Sequence, residues 1–265
     1  MKVKCTRYRP CCVPTAGIFG TRNAQIMSMR PELALCCDSR YNLGVTSIKT
    51  LPLFPLNTVL FPGQVLPLHI FEPRYRLMAE ECLSSRLAFG VVLIREGQEV
   101  GGYATPFEVG TTARISQVER LPNGRLNIMC IGESRFKIVA LQHDRPFLTG
   151  DVELWQWTPL ASDSSDSRAD KLARMLTRYL RTLAQATGNA VRLEGLPSDP
   201  ESLASLAAIA LQVPNPEKQR LLSTPQMSDL LDGCIDLLLR ENRAFQITLS
   251  LPAGSNDQPV PFSSN

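Results

Sequence analysis

Two histidines and an aromatic content of 6% leave this 265-residue chain short of the side chains most used for proton transfer and for stacking on bases. Signature loops are also missing. No Gly-x-x-x-x-Gly-Lys-Ser/Thr run is present to cradle a nucleotide phosphate, no Gly-x-Ser-x-Gly to expose a nucleophilic serine, and no His-Glu-x-x-His to hold a catalytic zinc. No apolar stretch approaches the roughly 18–20 residues that a membrane-spanning helix requires. Excess charge of one sign is missing as well. The net charge is +3, but residues 1–45 carry seven Lys and Arg against two acids, which leaves 21 basic and 23 acidic residues in the rest. A slightly acidic body gives no electrostatic footprint for a phosphate backbone.

Cysteine is present but unevenly spread. Five of the eight lie at Cys5, Cys11, Cys12, Cys36 and Cys37. No Cys-x-x-Cys spacing and no nearby histidine accompany them, so neither a zinc site nor a disulfide framework is expected, and no cofactor. Cys82, Cys130 and Cys234 sit among apolar neighbours and read as buried, reduced thiols. His69 falls on a strand face opposite Leu68 and Ile70, without a neighbouring nucleophile or orienting acid, and reads as a hydrogen-bonded structural residue. His143-Asp144 reads as an exposed loop pair.

The chain divides into five stretches. Residues 1–45 lack hydrophobic periodicity. They are expected to be a disordered extension, one upstream of a true start at Met27 or Met29, or an organellar transit peptide. Residues 46–157 are mostly β. The segment Leu51-Pro-Leu-Phe-Pro-Leu56 is a proline-broken strand that belongs at an edge or a bend. Leu66, Leu68 and Ile70 alternate on one face of the next strand. Glu72-Pro73 opens a helix with Tyr75, Met78, Ala79 and Cys82 at helical spacing. Residues 89–94 are a buried type of strand. Residues 108–121 and 125–140 are two longer strands joined at Asn123-Gly124, a two-residue turn signal that needs positive φ at both positions. Residues 147–157 supply a last strand, with Trp155 and Trp157 on one face as a packing seam. Many short strands with one helix indicate a small, partly closed barrel.

Residues 158–167 form a polar linker. Residues 168–250 are helical: Leu172, Met175, Leu176, Tyr179, Leu180 and Leu183 make one apolar face, with Arg174, Arg178 and Arg181 as a solvated stripe opposite. Asp199 is the expected N-cap of a second helix, with Pro200 at its first position. Short and long helices follow around Leu221 and from Met227, and together these pack as a small bundle. The tail, 251–265, is polar and expected to be disordered.

Several of these segments also match a known family. Leu51-Pro-Leu-Phe-Pro-Leu-Asn-Thr-Val-Leu-Phe-Pro-Gly63 followed by Leu66-Pro-Leu-His-Ile-Phe-Glu-Pro-Arg-Tyr-Arg76 resembles the opening signature of the Lon N-terminal domain. Phe89-Gly-Val-Val-Leu-Ile-Arg-Glu-Gly97, Glu99-Val-Gly101, Val109-Gly-Thr-Thr-Ala-Arg-Ile115, Gly124-Arg-Leu-Asn-Ile128 and Gly132-Glu-Ser-Arg-Phe136 continue it in order. Glu217-Lys-Gln-Arg-Leu-Leu222 resembles the element before the family's last helix. The resemblance spans roughly residues 48–245. It implies an α+β fold, a PUA-like β pseudo-barrel followed by a C-terminal helical bundle. It also implies recognition of unfolded or tagged polypeptides. The family's ATPase and Ser–Lys protease modules have no counterpart in this sequence, so a non-catalytic role in protein quality control is expected.

The expected partners are polypeptides with exposed apolar segments, alongside a protease or chaperone. Nucleic acid and membrane are not expected, and the oligomeric state is open. The candidate contact residues are Phe54, Leu56, Phe61 and Tyr75, which equally suit a core. RNA binding by a PUA-like fold is the alternative, as is a peptidase in name only. A cytoplasmic location follows, or an organellar one if residues 1–45 are a transit peptide.

Overall fold

The computed structural model describes residues 48–102, 104–160, 165–187 and 195–250. The cysteine-rich stretch and the two ends expected to be disordered lie outside them. In order, the described elements are β1 (Lys49–Leu56), β2 (Val65–Ile70), α1 (Pro73–Ser85), β3 (Phe89–Gly97), β4 (Ala104–Arg120), β5 (Leu126–Gln142), β6 (Thr149–Leu154), α2 (Ser165–Thr187), α3 (Pro200–Ala210), α4 (Asn215–Leu222) and α5 (Met227–Ser250). The fold is α+β, a mixed sheet with five helices among the described residues. None of the described helices is long and apolar enough to cross a membrane.

The sheet runs β2-β5-β4-β3-β1-β6, and β6 pairs back onto β5. The path β5-β4-β3-β1-β6-β5 is therefore a closed circuit, and β2 is attached outside it. β1 is an interior strand and not an edge, one of the two places, edge or bend, that its prolines suggest. Its two halves have different partners: Lys49 to Pro52 pair antiparallel with β6, and Leu53 to Leu56 pair parallel with β3. Each half is laddered on one side only, so a proline can turn its missing N–H away from the ladder.

The β4–β5 hairpin differs from expectation by one residue. Asn123 and Gly124 both take positive φ, 68° and 70°, as the turn signal requires. A two-residue turn would need the N–H of residue 122 to close it, and Pro122 has none. Closure moves outward, and Leu121 donates its N–H to the Arg125 carbonyl at 2.8 Å, leaving a three-residue loop.

Helix positions follow the periodicity. α1 buries Tyr75, Met78, Ala79 and Cys82, and ends with Arg86 in the left-handed region. α2 buries Leu172, Leu176 and Tyr179 and exposes Arg174, Arg178 and Arg181. α3 is capped by the Asp199 carboxylate, which accepts from the Ser202 N–H at 2.8 Å. α2, α3 and α4 all pack against α5. α2 begins inside the stretch expected to be linker. Thr158, the first residue of that stretch, is held at the α4–α5 corner, donating to the Pro225 carbonyl at 2.9 Å and accepting from the Met227 N–H at 3.1 Å.

Sheet and helices share a core. Val59, Phe61, Leu93, Val109 and Trp157 from the β region pack with Leu172, Leu222, Leu230 and their neighbours. Arg135 on β5 runs through this layer at 3% exposure. Its guanidinium lies 3.6 Å from the Trp157 ring centroid and 4.5 Å from that of Trp155. Its Nη1 donates to the carbonyls of Leu222 and Thr224, the end of α4. Burial lowers its pKa to about 10, so it remains a cation at neutral pH. Gln219 adds a second tie, donating from Nε2 to the Val109 carbonyl at 3.0 Å. Three residues before Arg135, a Cβ on Gly132 would stand 2.3 Å from the Phe61 carbonyl. The Gly132–Phe136 element thus fixes a close approach, a buried cation and a core aromatic within five residues.

Two expectations follow for stability. Arg135→Ala should lower the unfolding free energy by about 2–4 kcal/mol, because hydrogen bonds from a charged donor contribute roughly 1.5–3 kcal/mol and a desolvated cation–π contact about 2. Arg135→Lys should recover only part, since an ammonium cannot stack as a plane. Urea titration reads both, and an unchanged midpoint for the alanine variant removes Arg135 as a structural joint. At the hairpin, Gly124→Val should cost about 1–3 kcal/mol by forcing a β-branched residue to positive φ. Asn123→Gly should stay close to the parent. Equal midpoints for parent and Gly124→Val would mean that the turn bears no strain.

Candidate functional site

β2 has the sequence Val65-Leu-Pro-Leu-His-Ile70, and its alternation separates two faces. Leu66, Leu68 and Ile70 turn toward the core under α1; Val65, Pro67 and His69 turn outward and are exposed. Among the described strands β2 is the one with a single partner, β5. Hollows lie on both sides of it.

The inner hollow is a cleft of about 140 Å³ between β2 and the loop at Glu99–Val100. Phe54, Leu56 and Tyr75 form its floor. The Phe54 and Tyr75 rings meet at 4.1 Å between centroids, and Phe89 lies 6.2 Å beyond Phe54. Glu72 and Glu99 border the cleft, with the exposed apolar side chains of Phe71 (47%) and Val100 (53%) beside them. Glu72 is engaged by Arg74, whose Nε donates at 3.0 Å. Glu99 accepts from the Asn57 N–H at 3.2 Å. Burial raises the pKa of the Tyr75 phenol, with Glu72 and Glu99 adding to the shift and Arg74 opposing it, so the group stays neutral.

The outer hollow is an open groove of about 510 Å³ across β2, β5 and β4. His69, Asn127 and Glu119 stand side by side across the three strands. His69 Nδ1 lies 2.8 Å from Asn127 Oδ1, and Asn127 Nδ2 donates to Glu119 at 2.9 Å. The imidazole is oriented, as expected of a structural histidine. The groove's lining (Pro67, Leu68, Gln117, Val118, Ile128 and Met129 complete it) contains no Ser, Thr or Cys for it to activate. Burial pushes the Cys82 thiol up to about 11 and those of Cys130 and Cys234 up to about 12, so none supplies a thiolate. Among the described residues no three His, Cys, Asp or Glu side chains gather as a metal site. A third hollow of about 280 Å³ is bordered by Arg74 and Arg145. Both guanidiniums are already paired, with Glu72 and Glu81. The arrangement can grip apolar and backbone groups.

All four sequence-predicted contact residues are buried rather than displayed: Phe54, Leu56, Phe61 and Tyr75 are at most 6% exposed. Three of them meet as the cleft floor. Phe61 does not join them. Its N–H is held by Gln64 Oε1 at 3.0 Å, and its carbonyl accepts from the Gln64 N–H at 3.1 Å. That tight turn swings the ring into the sheet–helix core. The exposed rim residues, Phe71 and Val100, were not singled out in the sequence. Phe71 had a signal: the alternation that points Ile70 inward points its neighbour outward.

Known proteins agree with this architecture. A family described as the ATP-dependent protease La (LON) substrate-binding domain matches residues 50–240. The chain is 26% identical over 201 residues to a Lon protease of Anaeromyxobacter dehalogenans, covering 75% of this chain and 24% of that protein. It is 28% identical over 207 residues to Lon protease 2 of Myxococcus xanthus, covering 76% and 24%. It therefore spans about a quarter of the length of these curated relatives. Among solved structures, a Lon N-terminal domain protein from Xanthomonas campestris superposes with a TM-score of 0.55 at 25% identity, covering 77% of this chain and 100% of that one. The N-terminal domain of a Mycobacterium avium complex Lon protease shares the fold, with a TM-score of 0.56 at 22% identity over 72% of this chain and 98% of that one. With the family match extending from β1 into α5, this chain belongs to the Lon substrate-binding domain family.

Proposed function

We propose that this chain is a non-catalytic polypeptide-recognition module that engages unfolded segments with exposed apolar residues, in the service of protein quality control. The observation that carries the reading is the cleft beside β2, where an aromatic floor of Phe54 and Tyr75 is rimmed by exposed Phe71 and Val100. Family membership supports polypeptide substrates as the ligand class. The closed strand circuit supports the reading of a PUA-like pseudo-barrel, and the packing of α2, α3 and α4 on α5 that of a helical bundle. A protease or chaperone acting on the captured chain fits this role.

Charge placement weighs against RNA as the ligand. Both hollows beside β2 are bordered by carboxylates, Glu72 and Glu99 in one and Glu119 in the other. Arg74, Arg114, Arg120 and Arg145 in the β region are each paired with an acid. A phosphate backbone needs the opposite arrangement.

Fluorescence anisotropy with fluorescein-labelled, carboxymethylated α-lactalbumin, a permanently unfolded polypeptide, tests the reading. Saturable binding is expected. The double variant Phe71→Ser, Val100→Ser should weaken it at least about tenfold, equivalent to 1.4 kcal/mol and within the burial value of one large apolar side chain. Leu239→Ser, a change at an exposed site on α5, should leave it unchanged. No binding by the parent protein would sink the proposal. Incubated with casein and ATP, the protein should show background turnover only; turnover abolished by replacing one serine would contradict the non-catalytic role.

A further inference from the structure

The backbone of β2 says how a polypeptide would be held, an inference that rests on the recognition reading above. β2 ends the strand order, so one side of its backbone has no strand partner. The phase of its ladder identifies the peptide groups left over. Gly132 donates its N–H to the Gln64 carbonyl at 2.9 Å, which fixes that carbonyl toward β5. Antiparallel ladders alternate. Leu66, Leu68 and Ile70, set opposite Cys130, Ile128 and Leu126, therefore direct their N–H and C=O groups at β5, and Val65, Pro67 and His69 direct theirs away. Pro67 independently fits this phase, since a strand accepts proline where the missing N–H would face away from its partner. The free edge offers the N–H groups of Val65 and His69 and the carbonyls of Val65, Pro67 and His69.

Side chains divide the same way. An added strand continues the alternation of its neighbour, so its residues would point by turns into the inner cleft and the outer groove. The cleft presents Phe54, Leu56 and Tyr75; the groove presents Met129, Gln117 and Glu119. Each hollow holds a carboxylate with no cation among the described residues. Glu99 is met by the Asn57 N–H and Glu119 by the Asn127 amide.

We propose that the free edge of β2 takes up an extended polypeptide segment as an added strand, and that preferred segments alternate apolar residues, which enter the cleft, with Lys or Arg, which share the outward face with Glu119 and are drawn by the negative field of Glu99 and Glu119. Hydrogen bonds to Val65, Pro67 and His69 make the contact indifferent to most of the guest's sequence, while the two hollows set its pattern.

The probe is a fluorescein-labelled octapeptide of alternating Leu and Lys. Three companions accompany it: one with Glu in place of Lys, one N-methylated at every Leu, and one N-methylated at every Lys. The parent peptide is expected to bind, and the Glu peptide at least about tenfold more weakly. One N-methylated peptide should lose at least about tenfold and the other stay within about threefold, because only one set of amides faces β2; the set that fails reports the guest's direction. Glu99→Gln with Glu119→Gln should remove the preference for Lys over Glu. Amide exchange at Val65 and His69 should slow on binding, whereas Leu66 and Leu68, laddered to β5, should exchange slowly with or without peptide. If carboxymethylated α-lactalbumin binds but both N-methylated peptides bind like the parent, strand addition is wrong and recognition stands. If neither the unfolded protein nor any peptide binds, both fall. A dimer of this chain that protects Val65 and His69 without peptide would also overturn the proposal, by showing that a second copy occupies the edge.

Discussion

A buried guanidinium set against two indoles is the contact on which the rest of this structure turns. Arg135 enters from the sheet, stacks on Trp157 and Trp155, and reaches the carbonyls at the end of α4. Those carbonyls have no helical partner of their own, and in a buried layer each would cost free energy if left bare. The cation meets that demand and the rings cover its faces, which lowers the cost of removing it from water. Trp155 also donates its backbone N–H to the Arg135 carbonyl at 3.0 Å, so the residues that cover the cation are laddered to the strand that carries it.

Fixing the helices to this side of the sheet decides where the candidate site lies. The C-terminal helices occupy the layer lined by Val109, Phe61 and Trp157. α1 covers the core beneath Phe54, Ile70 and Phe89. Circuit closure through β6 gives every described strand except β2 at least two partners. At the end of the strand order this leaves one short open edge with a hollow on each side. The candidate site is the part of the β region that the packing leaves unfinished.

Much of the scaffold was legible in the sequence because its signals are local. Tyr75, Met78, Ala79 and Cys82 were read as one buried helix face from spacing alone, and the structure buries the same four. Asp199 before Pro200 announced a capped helix start. Long-range pairing was not legible. Nothing within Leu51 to Leu56 tells that its halves ladder to different strands, since the partners are set by closure of the circuit. The burial of Arg135 was not legible for a related reason: a charged residue in a strand reads as outward-facing until the tryptophans that follow β6 are brought over it. At the site, composition identified the apolar side chains near β2 but not their depth. Phe54, Leu56 and Tyr75 became floor and Phe61 became core, because the turn from Phe61 to Gln64 closes on itself.

An open strand edge is a hazard for association with other copies, and this one is blunted in ways that also suit a reversible grip. It is six residues long, and Pro67 removes a donor at its centre. The carboxylate of Glu99 borders the cleft beside it, and that of Glu119 lies on the outward face two strands away on β4. A guest strand can make only a few backbone hydrogen bonds here, each contributing about 0.5–1.5 kcal/mol net. The ordering of an extended segment costs about 1–2 kcal/mol per residue fixed and consumes most of that gain. Side-chain burial on the Phe54–Tyr75 floor must therefore supply the margin, at about 1.5–3 kcal/mol for a large apolar residue. Folded proteins hide both requirements, a free backbone and an exposed apolar side chain at alternate positions, whereas unfolded segments present them together. Used as proposed, such an edge would select unfolded segments by their alternating pattern rather than by one sequence.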